Sequence, residues 1–264
     1  MQKKKKIIAV IVLLVILIGG FLLVKARNDS SPSDETNQKR KLSLPTNTIS
    51  VADRPYLAVR PQADGRNVEL YLHDLKKSAT TVEYELEYQA GTLLQGAFGS
   101  FEASNLPATE MILLGSCSAG GACTYHEDVK GGTLLTNYTG GDNPYALKSD
   151  WKYIDNTDRD TAHSSKDAKF QIDGKNLGQQ RFIVIFNTPG YPEDLPGEAV
   201  SEIYSLETSG TLTGRAELTI RANEEGNLKI AAWDGSEWTT HEGEVTGKMI
   251  TAEVELVGVY VVVR

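Results

Sequence analysis

The chain is poor in cysteine and contains none of the common short motifs of catalysis. Two of its 264 residues are cysteine, which excludes a dense disulfide scaffold and leaves too few thiols for the usual structural zinc sites. The patterns G-x-S-x-G, H-E-x-x-H, the P-loop and G-x-G-x-x-G, which mark hydrolases and nucleotide-binding proteins, do not occur. These absences favour a protein that is not an enzyme.

Positive charge is scarce beyond the first 27 residues. Six of the 27 basic residues lie there with no acidic residue, so residues 28–264 carry 21 basic and 35 acidic residues, a net charge of −14. Nucleic acids bind proteins largely through phosphate contacts with lysine and arginine. A body this acidic predicts no nucleic-acid partner.

One long apolar run stands near the N-terminus. Residues 7–24 read IIAVIVLLVILIGGFLLV, 18 residues without a charge. As a helix they would be about 27 Å long, close to the roughly 30 Å hydrocarbon core of a bilayer. The alternative is a cleaved signal peptide, which has a shorter apolar run and a small-x-small cleavage site; Lys25, directly after the run, disfavours it. We expect an uncleaved single-pass transmembrane helix, with the membrane as partner of residues 7–24.

The basic residues around this run predict its orientation. Lys3–Lys6 lie next to the run, whereas three of the five basic residues that follow within the next twenty positions lie fifteen or more residues beyond it. Positive charge close to a transmembrane helix favours the cytoplasmic side. We therefore expect residues 1–6 to be a cytoplasmic tail and the rest of the chain to be extracytoplasmic.

The segment after the run has the composition of a linker. Residues 25–50 are rich in Ser, Asn, Thr, Pro and charge, with few large apolar side chains. Such a segment cannot bury enough surface to offset the entropy of ordering it. The prediction is a flexible linker, and the alternative is a loosely packed first strand.

From Val51 onward the apolar residues alternate with a period of two, which predicts an all-β body. The segment Thr80–Gln89, TTVEYELEYQ, places two tyrosines, a valine and a leucine on one face and three glutamates on the other. This pattern is typical of a half-buried antiparallel strand. Arg181–Phe186, RFIVIF, is continuously apolar after its arginine, as expected of a central strand buried on both faces.

Further strands and one or two short helical turns are predicted along the body. The predicted strands are Tyr56–Arg60, Asn67–Leu75, Leu93–Phe98, Glu110–Gly115, Thr133–Asn137, Lys169–Ile172, Ala216–Ala222, Leu228–Trp233, Ile250–Leu256 and Val259–Val263. Short helical turns are predicted at Glu127–Lys130 or Pro144–Ser149.

A segment rich in proline and glycine predicts the division of the body. Asn187–Glu198 holds three prolines and two glycines in twelve positions, and proline cannot lie in the middle of a β-ladder. We expect a hinge at residues 189–198 between two β-sandwich modules in series, residues 51–188 and a smaller module at residues 199–264.

The C-terminal part resembles small surface sandwiches of the immunoglobulin-like type. The resemblance lies in the spacing of Leu228–Ile230, Trp233–Trp238 and Gly258–Val262 and covers about 65 residues. It implies an immunoglobulin-like sandwich fold and carries no functional residue with it.

The two cysteines form a C-x5-C pair. Cys117 and Cys123 frame the loop Ser-Ala-Gly-Gly-Ala, and outside the cytoplasm such a pair predicts a small-loop disulfide. Two free thiols and a redox pair are the alternatives. Redox pairs usually have C-x-x-C spacing at a helix N-terminus, and this segment has neither.

Oxygen ligands at alternating positions suggest a calcium loop. Asn156, Asp158 and Asp160 alternate, and Asp167 is twelfth counting from Asn156, as in an EF-hand loop. The sixth position is Thr161 rather than glycine and the twelfth is not glutamate, so a polar solvated loop is the alternative. Calcium is the only cofactor that the sequence suggests.

Three tryptophans are the remaining candidates for ligand binding. Trp233 and Trp238 flank a predicted hairpin turn, and Trp151 follows a glycine-rich loop. An exposed aromatic ring on a β-sheet can stack on a sugar ring, whereas a tryptophan at a hairpin more often packs over the core.

These observations predict a membrane-anchored extracytoplasmic protein with a binding or structural role at the cell surface. Its surface ligand would be a protein or a glycan. One alternative is a carbohydrate-binding module of the cell envelope, and another is an accessory subunit of a membrane complex that uses the transmembrane helix as its contact surface.

Overall fold

Residues 44–264 are the part of the chain that the computed structural model describes. The predicted cytoplasmic tail, transmembrane helix and most of the linker lie outside these residues. Within residues 44–264 there is no helix with the length and apolar character needed to cross a membrane.

The described chain is built almost entirely of β-strands, which confirms the predicted all-β class. The strands are β1 (Leu57–Pro61), β2 (Asn67–Leu72), β3 (Thr81–Ala90), β4 (Leu93–Glu102), β5 (Ala108–Leu113), β6 (Gly115–Cys117), β7 (Cys123–Tyr125), β8 (Val129–Thr139), β9 (Tyr145–Asp155), β10 (Ala162–Ser164), β11 (Phe170–Asp173), β12 (Phe182–Thr188), β13 (Ile203–Thr208), β14 (Arg215–Arg221), β15 (Lys229–Trp233), β16 (Trp238–His241), β17 (Glu244–Thr246), β18 (Met249–Glu255) and β19 (Val259–Val263). Three short 3-10 helices span Val51–Asp53, Ala103–Asn105 and Lys175–Gln179.

A nine-stranded sheet is the centre of the fold. Its strand order is β16-β15-β19-β13-β12-β9-β8-β3-β4, and every pairing in it is antiparallel. A three-stranded sheet, β1-β2-β5, and a five-stranded sheet, β10-β11-β14-β18-β17, pack against it. The hairpin β6-β7 forms a separate two-stranded sheet.

Strand β12 is buried on both faces, as its continuous apolar sequence predicted. Phe182, Val184 and Phe186 enter the core beneath the three-stranded sheet, and Ile183 and Ile185 enter the core beneath the five-stranded sheet. Successive side chains of a strand point to opposite faces. The two smaller sheets therefore cover opposite faces of the nine-stranded sheet, and β12 contributes to both cores.

The structure differs from the predicted division at residues 189–198. Strands β12 and β13, which flank this segment, are hydrogen-bonded neighbours with Thr188 opposite Ile203, and residues 44–264 form one compact unit. Tyr191 and Leu195 of the segment pack on a third apolar cluster. Because proline cannot donate to a ladder, the segment leaves the sheet, but it folds back over the sheet instead of separating two modules.

Two further expectations are corrected by the structure. The end of the predicted flexible linker is ordered, because the Asn47 side chain accepts a hydrogen bond from Lys148 N and donates one to Lys148 O, both at 2.9 Å. The segment Pro144–Ser149 belongs mainly to the eleven-residue strand β9 and is not a helical turn. Alternate residues of β9 are buried from Leu147 to Tyr153, a period of two that the preceding proline obscured.

Candidate functional site

A cavity opens between the edge of the three-stranded sheet and one end of the nine-stranded sheet. Its volume is about 280 Å³. We call it the tyrosine–tryptophan cleft, and its lining residues are Tyr56, Arg60, Tyr71, His73, Pro192, Glu193, Glu207, Trp233, Asp234, Gly235, Gly258 and Val259.

Three aromatic rings form one wall of the cleft. Tyr56 is buried, and its ring meets the Tyr71 ring edge to face with centroids 6.3 Å apart. The Tyr71 hydroxyl shares a 2.7 Å hydrogen bond with Nδ1 of His73. Tyr71 is on β2 and His73 follows it by two residues, so both side chains leave the sheet on the same face.

A charged cluster lies beside this wall. The Arg60 guanidinium contacts the Glu69 carboxylate at 3.0 Å and the Glu207 carboxylate at 3.8 Å. The same guanidinium stands over the Tyr71 ring, 4.1 Å from its centroid, which is a cation–π contact. One arginine thus connects two carboxylates and the aromatic wall.

Glu207 is the most perturbed acid of the cleft. Its side chain is 19% exposed, and burial raises its pKa to about 7, with Arg60 opposing and Glu69 adding to that rise. Burial penalises the charged form of a carboxyl group. A carboxyl that changes charge near neutral pH inside a cleft is a typical feature of functional sites.

Two tryptophans pack against each other across the hairpin β15-β16. Trp233 ends β15 and Trp238 begins β16; they are opposite each other in register, with ring centroids 5.4 Å apart. Both are half-buried, and Trp238 Nε1 donates a hydrogen bond to Glu193 O at 3.2 Å. The predicted position of this tryptophan pair beside a hairpin turn is therefore correct, and Trp233 lines the cleft.

The turn sequence fixes this tryptophan pair. Oδ1 of Asp234 accepts hydrogen bonds from the backbone N–H groups of Ser236 and Glu237 at 2.8 and 2.9 Å, as in an Asx-turn. Gly235 has a φ of +104°, a conformation that favours glycine. The Asp-Gly pair therefore holds Trp233 at the mouth of the cleft.

The chemistry of the cleft suits a small polar ligand with an apolar face. Aromatic rings supply flat surfaces that pack against sugar-like or aromatic rings. The Arg60 and Glu207 side chains supply charge-assisted hydrogen bonds at the side of the same cavity. The lining thus combines aromatic rings with charged groups, and specifically placed polar groups fix the orientation of a ligand in its site.

Trp151, the third tryptophan predicted to stack on a ligand, is a core residue. It is completely buried on β9, and its Nε1 donates a hydrogen bond to Glu87 O at 3.0 Å. A ring with no exposed face cannot stack on a sugar, so the structure corrects this assignment.

The four predicted calcium ligands are not brought together. The amide of Asn156 is buried and bonds backbone atoms of Asp160 and Leu177. The Asp167 carboxylate instead accepts bonds from Ser165, Asn187 and Tyr204, and Asp158 is exposed. Within residues 44–264 no three His, Cys, Asp or Glu side chains are grouped to hold a metal.

The predicted disulfide is confirmed. Cys117 and Cys123 are opposite each other in the hairpin β6-β7, with an S–S distance of 2.04 Å. Both strands of this hairpin are solvent-exposed apart from Gly115. The bond therefore fixes a surface hairpin and lies outside the main cores.

Comparison with protein-family models, with curated proteins and with solved structures finds no match to this chain.

Proposed function

We propose that the protein is a membrane-anchored extracytoplasmic β-sandwich protein with a binding role at the cell surface, and that its ligand occupies the tyrosine–tryptophan cleft. Residues 7–24 would anchor it, residues 1–6 would lie in the cytoplasm, and residues 44–264 would present the cleft outside. The observation that carries the binding role is the meeting of Trp233, Tyr71 and Arg60 around one cavity.

The position of the binding unit outside the cytoplasm has independent support. The apolar run of residues 7–24 is long enough to span a bilayer. The Cys117–Cys123 disulfide is of a kind that persists in oxidising compartments and is rare in the cytosol. The disulfide favours the extracytoplasmic side, and the apolar run would hold the binding unit at the membrane.

We propose a glycan as the ligand of the cleft. The half-buried Trp233 lines the cavity and offers an aromatic face, and a sugar ring presents C–H groups to such a face and hydroxyls at its rim. Glu207 and Arg60 line the same cavity and carry groups that can form hydrogen bonds with hydroxyls. A glycan uses both kinds of contact, whereas a purely apolar ligand would leave these charges buried without water.

A binding role fits the cleft better than catalysis. Acid–base chemistry needs a carboxyl group that is free to exchange a proton with the substrate. Glu69 and Glu207 both contact the Arg60 guanidinium, which fixes their positions whether or not Glu207 is ionised. The absence of hydrolase motifs from the sequence points in the same direction.

The experiment is a binding titration of the full-length chain in a zwitterionic detergent that carries no sugar. The probes are soluble oligosaccharides of glucose, of N-acetylglucosamine and of N-acetylmuramic acid, with heat of binding as the signal. We expect one class to bind and Trp233→Ala to weaken it by about tenfold, the size of one lost stacking contact.

The matched control is Tyr125→Ala, which removes an exposed aromatic ring from β7, outside the cleft. It should bind the same oligosaccharide as tightly as the unmodified chain. Failure of every oligosaccharide to bind, or equal binding by Trp233→Ala, would show that the cleft is not a glycan site.

A further inference from the structure

Strand β4 is an unusual edge of the nine-stranded sheet. It has ten residues, whereas β16 at the opposite edge has four. Natural proteins protect edge strands by making them short or by adding charge, proline or bulges, because an open edge pairs with another chain. Leu93–Phe101 contains no charged residue and no proline, and β4 pairs with β3 without a bulge.

The side chains of β4 add an apolar surface to this open edge. Leu93 is 63% exposed, Leu94 is 65% exposed and Phe98 is 87% exposed. Because Leu93–Phe101 is itself uncharged, two copies of this segment can pair without placing like charges directly opposite each other in the new ladder. Exposed apolar surface of this kind marks an interaction site.

The backbone of β4 is oriented for pairing at alternate residues. The N–H of Ala103 donates to Thr80 O at 2.9 Å, in line with the β3·β4 register. Since inward and outward groups alternate along an antiparallel strand, the odd-numbered residues of β4 bond to β3. The N–H and C=O groups of Leu94, Gly96, Phe98 and Ser100 therefore point away from β3, toward the open edge of the sheet.

The sequence of β4 is complementary to itself about Ala97. An antiparallel pair of two copies centred there places Phe98 of one copy opposite Gly96 of the other, and Leu94 opposite Ser100. A large side chain then faces a small one at each of these positions, so Phe98 packs over the bare glycine of its partner. All four residues have outward backbone groups, so this register also satisfies the hydrogen bonds of the ladder.

We propose that β4 is a homodimerisation edge, at which a second copy of this chain pairs antiparallel about Ala97 and extends the sheet across a two-fold axis. The contact is isologous, since the same strand is used by both copies. An extended segment of a different protein is the competing occupant; a second copy is favoured because its own Gly96 lies opposite Phe98 in the register centred on Ala97.

The test uses a single introduced thiol. Both natural cysteines are joined to each other and the chain has no third, so Ala97→Cys adds the only free thiol. In the proposed dimer the two residues 97 form a non-hydrogen-bonded pair with Cα atoms about 4.5 Å apart, a spacing that a disulfide bridges. Full-length protein in detergent is treated with a mild oxidant and run on a non-reducing gel.

The matched control is Thr240→Cys on β16, the other edge of the same sheet. We expect at least about fivefold more covalent dimer from Ala97→Cys than from this control. Equal amounts of covalent dimer from the two variants would overturn the proposal. This holds if the thiol at residue 97 reacts freely with an alkylating agent, and it holds equally if another protein covers that thiol.

A second variant, Phe98→Asp, tests the same edge without an introduced thiol and can be used if Ala97→Cys folds poorly. Phe98→Asp alters a side chain that is 87% exposed, so the fold should tolerate it, but in the dimer its carboxylate would replace the ring that packs on Gly96. Light scattering of the full-length chain should change from the mass of a dimer to that of a monomer. A mass that is the same for both proteins would contradict the proposed edge.

Discussion

Replacing Trp151 by alanine should lower the free energy of unfolding by about 3–5 kcal/mol, the range for large aromatic side chains removed from a core. Trp151 is completely buried and packs against Tyr88 and Tyr153. Its hydrogen bond to Glu87 O joins β9 to β3 across β8, where the opposite residue is Gly132. The variant would leave a cavity and a buried carbonyl without this partner.

Urea unfolding of the full-length chain, followed by circular dichroism, measures this loss. The control is Trp238→Ala, which removes a half-buried ring at the margin of the cleft and should cost about 1–2 kcal/mol, in proportion to its smaller buried area. A smaller loss for Trp151→Ala than for Trp238→Ala would contradict the assignment of Trp151 to the core.

Replacing Glu207 by glutamine should stabilise the protein above pH 7. Burial raises the pKa of Glu207 from 4.5 to about 7, so the folded chain holds this proton over a pH range in which the unfolded chain has released it. The stabilisation is complete below pH 4.5 and is lost as the pH rises to about 7. A shift of this size corresponds to about 3 kcal/mol.

Glutamine resembles the protonated acid and does not ionise. The difference in unfolding free energy between Glu207→Gln and the unmodified chain should therefore be near zero at pH 4.5 and reach about 3 kcal/mol in favour of the variant above pH 7. Glu217→Gln is the matched control, because it makes the same substitution at an exposed carboxyl on β14. A variant that is less stable than the unmodified chain above pH 7 would show that the ionised carboxylate stabilises the fold through Arg60.

Local patterns in the sequence predicted individual strands well. The alternation of Thr80–Gln89 places Val82, Tyr84, Leu86 and Tyr88 in the core, as expected. The apolar run of β12 predicted a strand buried on both faces. Both predictions succeed because the period of two is a local property of the backbone.

The pairing of distant strands was not visible in the sequence. The proline-rich segment at residues 189–198 indicated a break in the chain, but the same residues cover apolar side chains of the sheet that continues on both sides of it. The proline content of a segment shows that it cannot be a central strand. It does not show whether the strands on either side of the segment pair with each other.

The candidate site could be predicted only in part. Trp233 was found from its hairpin turn, because Asp-Gly turns have a local signature. Arg60 and Tyr71 lie on the consecutive paired strands β1 and β2, but Glu207 lies on the distant strand β13, and its meeting with them depends on the packing of the three-stranded sheet. No spacing rule links them, and the raised pKa of Glu207 depends on burial that only the fold reveals.

The most direct test of the proposed placement and role is protease treatment of intact cells that make the full-length protein, with an antibody against residues 199–264 as the probe. We expect the signal to be lost from intact cells, or after opening of an outer envelope layer alone, because the binding unit lies outside the cytoplasmic membrane. Survival of the signal until the cytoplasmic membrane itself is breached would place the unit inside the cell and contradict a surface binding protein.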